Sequence, residues 1–397
     1  MSQFRKKTIK DIDLNNKTVL LRVDYNVQVM DGILIDDLRL RESIPTIEYL
    51  IKQSAKIVIC SHRGRPKGEF EANSSNSPLV KHLELLLKSP VTFVDNVFGE
   101  NTRNRIKSMN PGEIILLENI RFYKGELEND EYFAKQLSEP FDFFVNDAFG
   151  TSHREHASIS GITDFLPSVA GFLLEKEVDI LENVTKNPDK PLGIILGGSK
   201  ISDKIRILEN LIPHANTICV GGAIANTFLL ACGYDVADSL VDDSSIESSI
   251  NCMKLADKYG VNFIMPDEVV VAYGLGSKNM IRTVPIDQIP AGWRVLDIGK
   301  STILKFKHSL SNSNTLIWNG PMGMFEQEQF ATGSLELAKM ISELKIPNSV
   351  IGGGETAAIA NLASIRKDVT HISTGGGASL MLLKGDLLPG IESLMDK

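Results

Sequence analysis

Cysteine is scarce in this chain: Cys60, Cys219, Cys232 and Cys252 are all that 397 residues contain. Their spacing offers neither a metal-ligand pairing nor a disulfide scaffold, so buried apolar thiols in a reducing compartment are expected. Long apolar runs are missing as well, and nothing approaches the ~18 uninterrupted residues of a membrane span. The start, MSQFRKKTIKDIDL, is basic but has no apolar signal core, so no secretion is expected. A net charge of −8 argues against a general nucleic-acid binder. Two nucleotide signatures are absent. No G-x-x-x-x-G-K-[ST] occurs, and no G-x-G-x-x-G follows the first strand with an acidic residue about 20 positions on, which disfavours a dinucleotide-dependent oxidoreductase. His62, His153 and His156 lack a third ligand at zinc spacing. Hydrogen bonding to a substrate suits His62, and a structural role suits the other two.

What is present belongs to a globular α/β protein, with 43% hydrophobic and 23% charged residues. The length favours two domains over one core. Short Val- and Ile-rich runs recur, from TVLLRV at 18, KIVIC at 56 and VTFV at 91 to TLIW at 315, SVI at 349 and VTHIS at 369. Segments of helical period such as IPTIEYLIKQ and SLELAKMISELK lie between most of them, the alternation of parallel strands with crossover helices. The runs end in DYN, SHRGR, DN, ENIR, NDAFG, GGSK, GGA, PDE, NGPMG, GGGE and TGGG. Ligands of open parallel sheets bind beyond the carboxyl ends of the strands, where this punctuation falls.

The two halves differ in kind. Of 14 arginines, ten lie at or before Arg154, and arginine suits bidentate grip on carboxylate and phosphate. Asp24, Asn26, His62, Arg65, Arg121 and Arg154 stand at strand ends there, and a hydroxylated, phosphorylated carboxylic acid satisfies that inventory. Beyond residue 190 the strand ends carry glycine runs, whose bare amides let a phosphate chain approach helix N-termini. In GGSKISDK, Lys200 and Lys204 fall four apart, on one face of the following helix. A solvated basic face paired with Asp203 or Glu209 is the alternative. The join is FLLEKEVDILENVTKNPDKP, where Leu174, Val178 and Leu181 keep a helical stripe that Pro188 and Pro191 close.

The motifs VLLRVDYNV, DDLRLR, SHRGRP, LLENIRF, FVNDAFGTSHREHAS, GFLLEKEV, LGGSKISDKI, LIWNGPMGMFE, GGGETA, STGGGASL and LPG, in this order, span nearly the whole chain. The chain closely resembles the phosphoglycerate kinase family, of bacterial type. The resemblance implies two doubly wound parallel-sheet domains joined by a helix, with a cleft between them. The boundaries are a phosphoglycerate domain at 1–173, the helix at 174–190, a nucleotide domain at 191–379 and a returning tail at 380–397. It implies reversible phosphoryl transfer from 1,3-bisphosphoglycerate to ADP, giving 3-phosphoglycerate and ATP with Mg2+, in a cytoplasmic monomer without nucleic-acid or membrane partners.

Carried over by motif, the phosphoglycerate site falls on Asp24, Tyr25, Asn26, Arg39, His62, Arg63, Gly64, Arg65, Arg121 and Arg154. The nucleotide site falls on Gly198, Ser199, Lys200, Lys204, Asn319, Glu326, Gly353, Gly354, Glu355 and Thr356. Arg39, Lys200 and the amides of Gly353 and Gly354 are the expected stabilisers of the moving phosphoryl group, and Glu355 the expected metal ligand. Glu355 replaces an aspartate of the family pattern, and Met381, Lys384 and Asp386 replace Glu, Glu and Lys in the tail. A non-catalytic phosphoglycerate or nucleotide sensor on the same scaffold is the alternative of another class.

Overall fold

The computed structural model describes residues 4–30, 32–274 and 280–397, so the first three residues of the basic start lie outside it. Packing divides the chain into two units, residues 1–179 with 387–397, and residues 180–386. In the first, strands β1 (Thr18–Arg22), β4 (Lys56–Cys60), β5 (Val91–Val94), β6 (Ile114–Leu117), β7 (Phe143–Asn146) and β8 (Ser168–Ala170) form one sheet in the order β5-β6-β4-β1-β7-β8. Every pairing in it is parallel. Strands β2 (Val29–Met30) and β3 (Ile33–Leu34) make a small antiparallel hairpin. Helices α1 (Leu38–Lys52), α2 (Leu79–Leu87), α3 (Glu100–Lys107), α4 (Lys124–Leu127) and α5 (Glu131–Ser138) fill the connections.

Helix α6 (Phe172–Lys186) starts in the first unit and ends in the second. Its N-terminus is held by Asp147, whose Oδ1 accepts the amides of Leu173 and Leu174. The last residues pack with the first unit. Met395 N donates to Ser168 O, Lys7 N to Met395 O, and Asn146 Nδ2 to Gly390 O at 2.8 Å.

The second unit repeats the plan. Strands β9 (Leu192–Leu196), β10 (Thr217–Val220), β11 (Asn262–Ile264), β15 (Thr315–Asn319), β16 (Asn348–Gly352) and β17 (His371–Ile372) run parallel in the order β11-β10-β9-β15-β16-β17. All five residues of β9 and of β15 are buried, as continuous apolar runs covered on both faces by helices should be. Each fully buried apolar side chain contributes roughly 1.5–3 kcal/mol. A separate antiparallel sheet of β12 (Glu268–Ala272), β13 (Ile281–Pro285) and β14 (Arg294–Ile298) has no counterpart in the first unit. The helices are α7 (Ile201–Leu211), α8 (Gly222–Ala231), α9 (Ile246–Lys258), α10 (Lys300–Leu310), α11 (Thr332–Leu344), α12 (Gly354–Leu362) and α13 (Gly377–Leu383), with α14 (Pro389–Glu392) in the tail.

Both sheets reverse strand order beside their central strand, between β1 and β7 in one and between β9 and β15 in the other. Such a switch point leaves a crevice at the carboxyl ends of the strands.

Candidate active site

In the first unit, β6, β4, β1 and β7 are neighbours, and the polar residues at their carboxyl ends gather on one edge of the sheet. Asp24, Tyr25 and Asn26 follow β1; His62, Arg63, Gly64 and Arg65 follow β4; Arg121 follows β6; Arg154 follows β7; and Arg39 comes from the first turn of α1. Hydrogen bonds stitch these loops to one another. Gly64 N donates to Asn26 Oδ1 at 2.9 Å, and Arg121 Nη1 donates to Gly64 O at 3.2 Å. Arg39 Nη1 is paired with Asp24 Oδ2. Arg65 and Arg154 remain exposed.

Electrostatics follow from this crowding. Burial would raise the Asp24 carboxyl, but the guanidinium groups of Arg39 and Arg22 outweigh it and hold it below the usual range. Burial, and then Arg22, bring the Arg121 guanidinium down to about 10 against the pull of Glu126 and Asp24, still protonated at neutral pH. Two side chains of the expected set face elsewhere. Tyr25 is fully buried with its hydroxyl 2.7 Å from Ser43 Oγ, and Arg63 is buried with Nε donating to Ser75 O at 2.9 Å. Their loops line the edge; these two side chains do not.

In the second unit the loops after β9 and β15 touch backbone to backbone. Gly198 N donates to Pro321 O at 2.8 Å, and a Cβ on Gly197 would lie 2.1 Å from that same oxygen. Only glycine allows this approach. Helices α7 and α12 begin here, capped by Lys200 and Gly353 without side-chain cap hydrogen bonds, so their first amides are available as anion donors, whereas at the start of α8 the amides of Gly222 and Ile224 already donate to Met322 O and Gly198 O. Gly353 itself has φ +96°, outside the range that side chains favour.

Beside these loops lies a cavity of about 650 Å³ whose lining includes Gly198, Ser199, Leu240, Met324, Glu326 and Glu355. Its size and mixed lining suit a nucleotide. Leu240 and Met324 were not in the expected site; Met324 lies within NGPMGMFE, whereas no sequence signal marks Leu240.

Lys200 and Lys204 do not share a helix face as the spacing predicts. Lys200 precedes α7 with an extended backbone and is exposed, whereas Lys204 is turned inward and only 7% exposed. The helix simply starts one residue too late for the pair. Lys204 Nζ donates to Asn319 Oδ1, and burial brings its ammonium down to about 8 despite Asp203 and Glu355 nearby. Asn319 Nδ2 is buried and has no hydrogen-bond partner among the described residues. A buried donor without an acceptor fits an incoming anion. The oxygen of Thr356 accepts from Gly320 N at 2.8 Å, tying the GGGET loop to the one after β15.

Among the described residues no group of three His, Cys, Asp or Glu side chains is placed to hold a metal. Magnesium does not need one: it keeps several waters and is bound by one or two carboxylates together with substrate phosphates. Exposed Glu355, in the first turn of α12 and lining the cavity, fits that pattern.

A family model described as phosphoglycerate kinase matches residues 9–386. The chain belongs to the phosphoglycerate kinase family. Family members are phosphotransferases with a carboxyl acceptor, and so is this protein. It is 46% identical to the phosphoglycerate kinase of Pelotomaculum thermopropionicum over 392 residues, covering 99% of this chain and 100% of that one. Identity to the Thermosipho africanus phosphoglycerate kinase is 45%, with 99% of each chain covered. Among solved structures, phosphoglycerate kinase from Coxiella burnetii superposes with a TM-score of 0.87 at 36% identity, and that from Pyrococcus horikoshii with 0.80 at 33%, each covering 98% of both chains.

Sequence reasoning missed three buried residues behind the first half-site, Arg22, Glu126 and Ser158. Arg22 is fully buried, its Nε donating to Ser158 Oγ at 2.8 Å and its Nη2 lying 3.4 Å from His62 Nδ1. A charged residue inside the run TVLLRV was the available signal.

Proposed function

We propose that the arginine-rich edge of the first unit binds 3-phosphoglycerate or 1,3-bisphosphoglycerate, and the glycine-loop cavity of the second binds ADP or ATP. The reaction is reversible phosphoryl transfer from the acyl phosphate to ADP. One observation carries the residue assignments: guanidinium groups and His62 gather in one unit, while the cavity, the uncapped helix starts and the buried Lys204–Asn319 pair lie in the other.

The chemistry needs little more. A carboxylate leaving an acyl phosphate has a pKa of roughly 4, so no general acid must protonate it and no enzyme nucleophile is required. Donor and acceptor oxygens have to be brought into line, and the charge spread over the transferring group has to be offset. Arg39, Lys200 and the amides of Gly353 and Gly354 serve that purpose. Lys204 and Asn319 hold the phosphate chain. Glu355 would hold magnesium together with the nucleotide phosphates, and the metal would supply further charge neutralisation there. Water has to be kept out while the acyl phosphate is present. Family membership and the four free thiols support a cytoplasmic protein, and family membership a monomer.

Steady-state kinetics of two variants test the division. Arg121→Ala should raise the KM for 3-phosphoglycerate about ten-fold or more and leave that for ATP within about two-fold; Lys204→Ala should do the reverse. If both variants raise the same KM, the division of roles is wrong.

A further inference from the structure

Behind the basic edge runs a buried chain of side chains that none of the roles above uses. Glu126, on the one-turn helix α4, has no exposed surface, and its carboxylate accepts the amide and the hydroxyl of Ser158, both at 2.8 Å. The hydroxyl that donates to Glu126 accepts Arg22 Nε at 2.8 Å. Arg22 then donates through Nη1 to Val23 O and presents Nη2 to His62 Nδ1 at 3.4 Å. Glu126 Oε1 is also 4.0 Å from Arg22 Nη2 and 3.6 Å from His156 Nδ1. A fully buried guanidinium requires a buried counter-charge, and Glu126 is placed to be it.

The direction of these bonds constrains His62. Arginine carries donors and no acceptor, so the ring nitrogen facing it has to present a lone pair; a proton there would set two donors against each other. Asp24 Oδ1 lies 3.8 Å from that nitrogen, beyond hydrogen-bond reach. That carboxylate is engaged by Arg39 and by the amide of Asn26. We propose that Arg22 locks His62 as the neutral tautomer with its proton on Nε2, and that Glu126, acting through Ser158, is the positioning residue that holds Arg22 in place.

The charged groups around the ring agree with a neutral state. Burial disfavours the imidazolium most; Asp24 pulls the other way, and Arg121, Arg22 and Arg39 then add to burial, so the pKa of His62 lies well below its ordinary value. His62 then offers a substrate oxygen one N–H donor without adding a further positive charge to an edge that already carries Arg39, Arg65, Arg121 and Arg154. This use of the donor rests on the phosphoglycerate reading of the half-site; the lock itself does not.

The test is two-bond 1H–15N correlation spectroscopy on the full-length protein labelled with 15N-histidine, from pH 5.5 to 8.5 without substrate. The His62 signals are identified by their disappearance in His62→Gln. They should show the Nε2–H pattern and stay flat through the range. In Glu126→Gln the ring should exchange tautomers or begin to titrate, and the KM for 3-phosphoglycerate should rise about ten-fold with that for ATP unchanged. Should that variant fail to fold, Ser158→Ala breaks the same link while keeping both charges, and the ring should again lose its fixed tautomer. An Nδ1–H pattern or an imidazolium titrating near its ordinary value in the unsubstituted protein overturns the proposal, as does an unchanged His62 spectrum in the folded Glu126→Gln or Ser158→Ala protein. If the lock is seen but added 3-phosphoglycerate leaves the His62 signals unmoved, the substrate reading fails and the lock stands.

Discussion

Arg39 is held by Asp24 in the first half-site, so its work on a transferring phosphoryl group requires it to exchange one anion for another. An interaction that strengthens mainly in the transition state shows in kcat. Arg39→Ala should therefore lower kcat by roughly 10²-fold or more and leave nucleotide affinity nearly unchanged, and near-normal turnover would remove Arg39 from that role. Glu355 separates on a magnesium titration. As the metal's carboxylate, Glu355→Gln should shift the titration to higher concentration and depress kcat, whereas Glu355→Asp should keep activity. As a mere charge at the start of α12, Glu355→Gln would cost about 0.3–1 kcal/mol of stability and leave the titration alone. Sequence made these residues legible, because charged side chains in the loops and first helix turns that follow strands have few reasons to be there except a ligand. Glu126 was illegible for the opposite reason: it is a single charge whose partner is brought near by folding, and nothing in the local pattern says that it is buried. Arg22 left one signal, its place inside the apolar run TVLLRV.

The apolar runs read from sequence are strands of the two large parallel sheets, and the central ones, covered on both faces, are apolar nearly throughout. Strand β8 escaped because Ser168-Val169-Ala170 is short and lies at the sheet edge. The antiparallel sheet from β12 to β14 also escaped, because the PDE preceding it reads as one more strand-end turn. In the tail, the exchanged residues find partners on α7: Lys384 Nζ lies 3.1 Å from Asp203, and Asp386 pairs with Arg206. A double-mutant cycle on Lys384 and Asp203, followed by denaturant unfolding, should return a coupling of about 0.5–1 kcal/mol that shrinks with salt; zero coupling at low salt would make the pairing incidental.

Helix α11 draws its cap from another element. Ala331 at its start has nothing to offer, and Asp297 at the end of β14 accepts the amides of Ile298 and Gly333 instead. Burial pushes the Asp297 carboxyl up to about 7 in spite of those two bonds. The folded protein then holds a proton that the unfolded chain releases near pH 4, so this group's contribution to stability falls as pH rises from about 4 to 7 and is flat above. Unfolding free energies across that window should decline less steeply with pH in Asp297→Asn than in the parent; identical slopes would show that Asp297 does not carry a raised pKa.

For the molecule as a whole, on the proposed assignment, two units of similar plan, one gripping a small polyanion with arginines and one holding a nucleotide with glycine loops, together make a catalyst and not a sensor. Composition pointed to that division through the arginine asymmetry, but the identity of the acid came from the ordered motifs, because guanidinium groups alone accept many anions. Binding of both ligands is common to the enzyme and to a sensor on the same scaffold, so turnover decides. The purified protein, given 3-phosphoglycerate, ATP and magnesium, should form ADP at a rate that requires all three, measured by coupled oxidation of a reduced nicotinamide. The rate should fall at least 10²-fold in Arg39→Ala. Calorimetric binding of both substrates to a folded protein, with no ADP formed under those conditions, would contradict it.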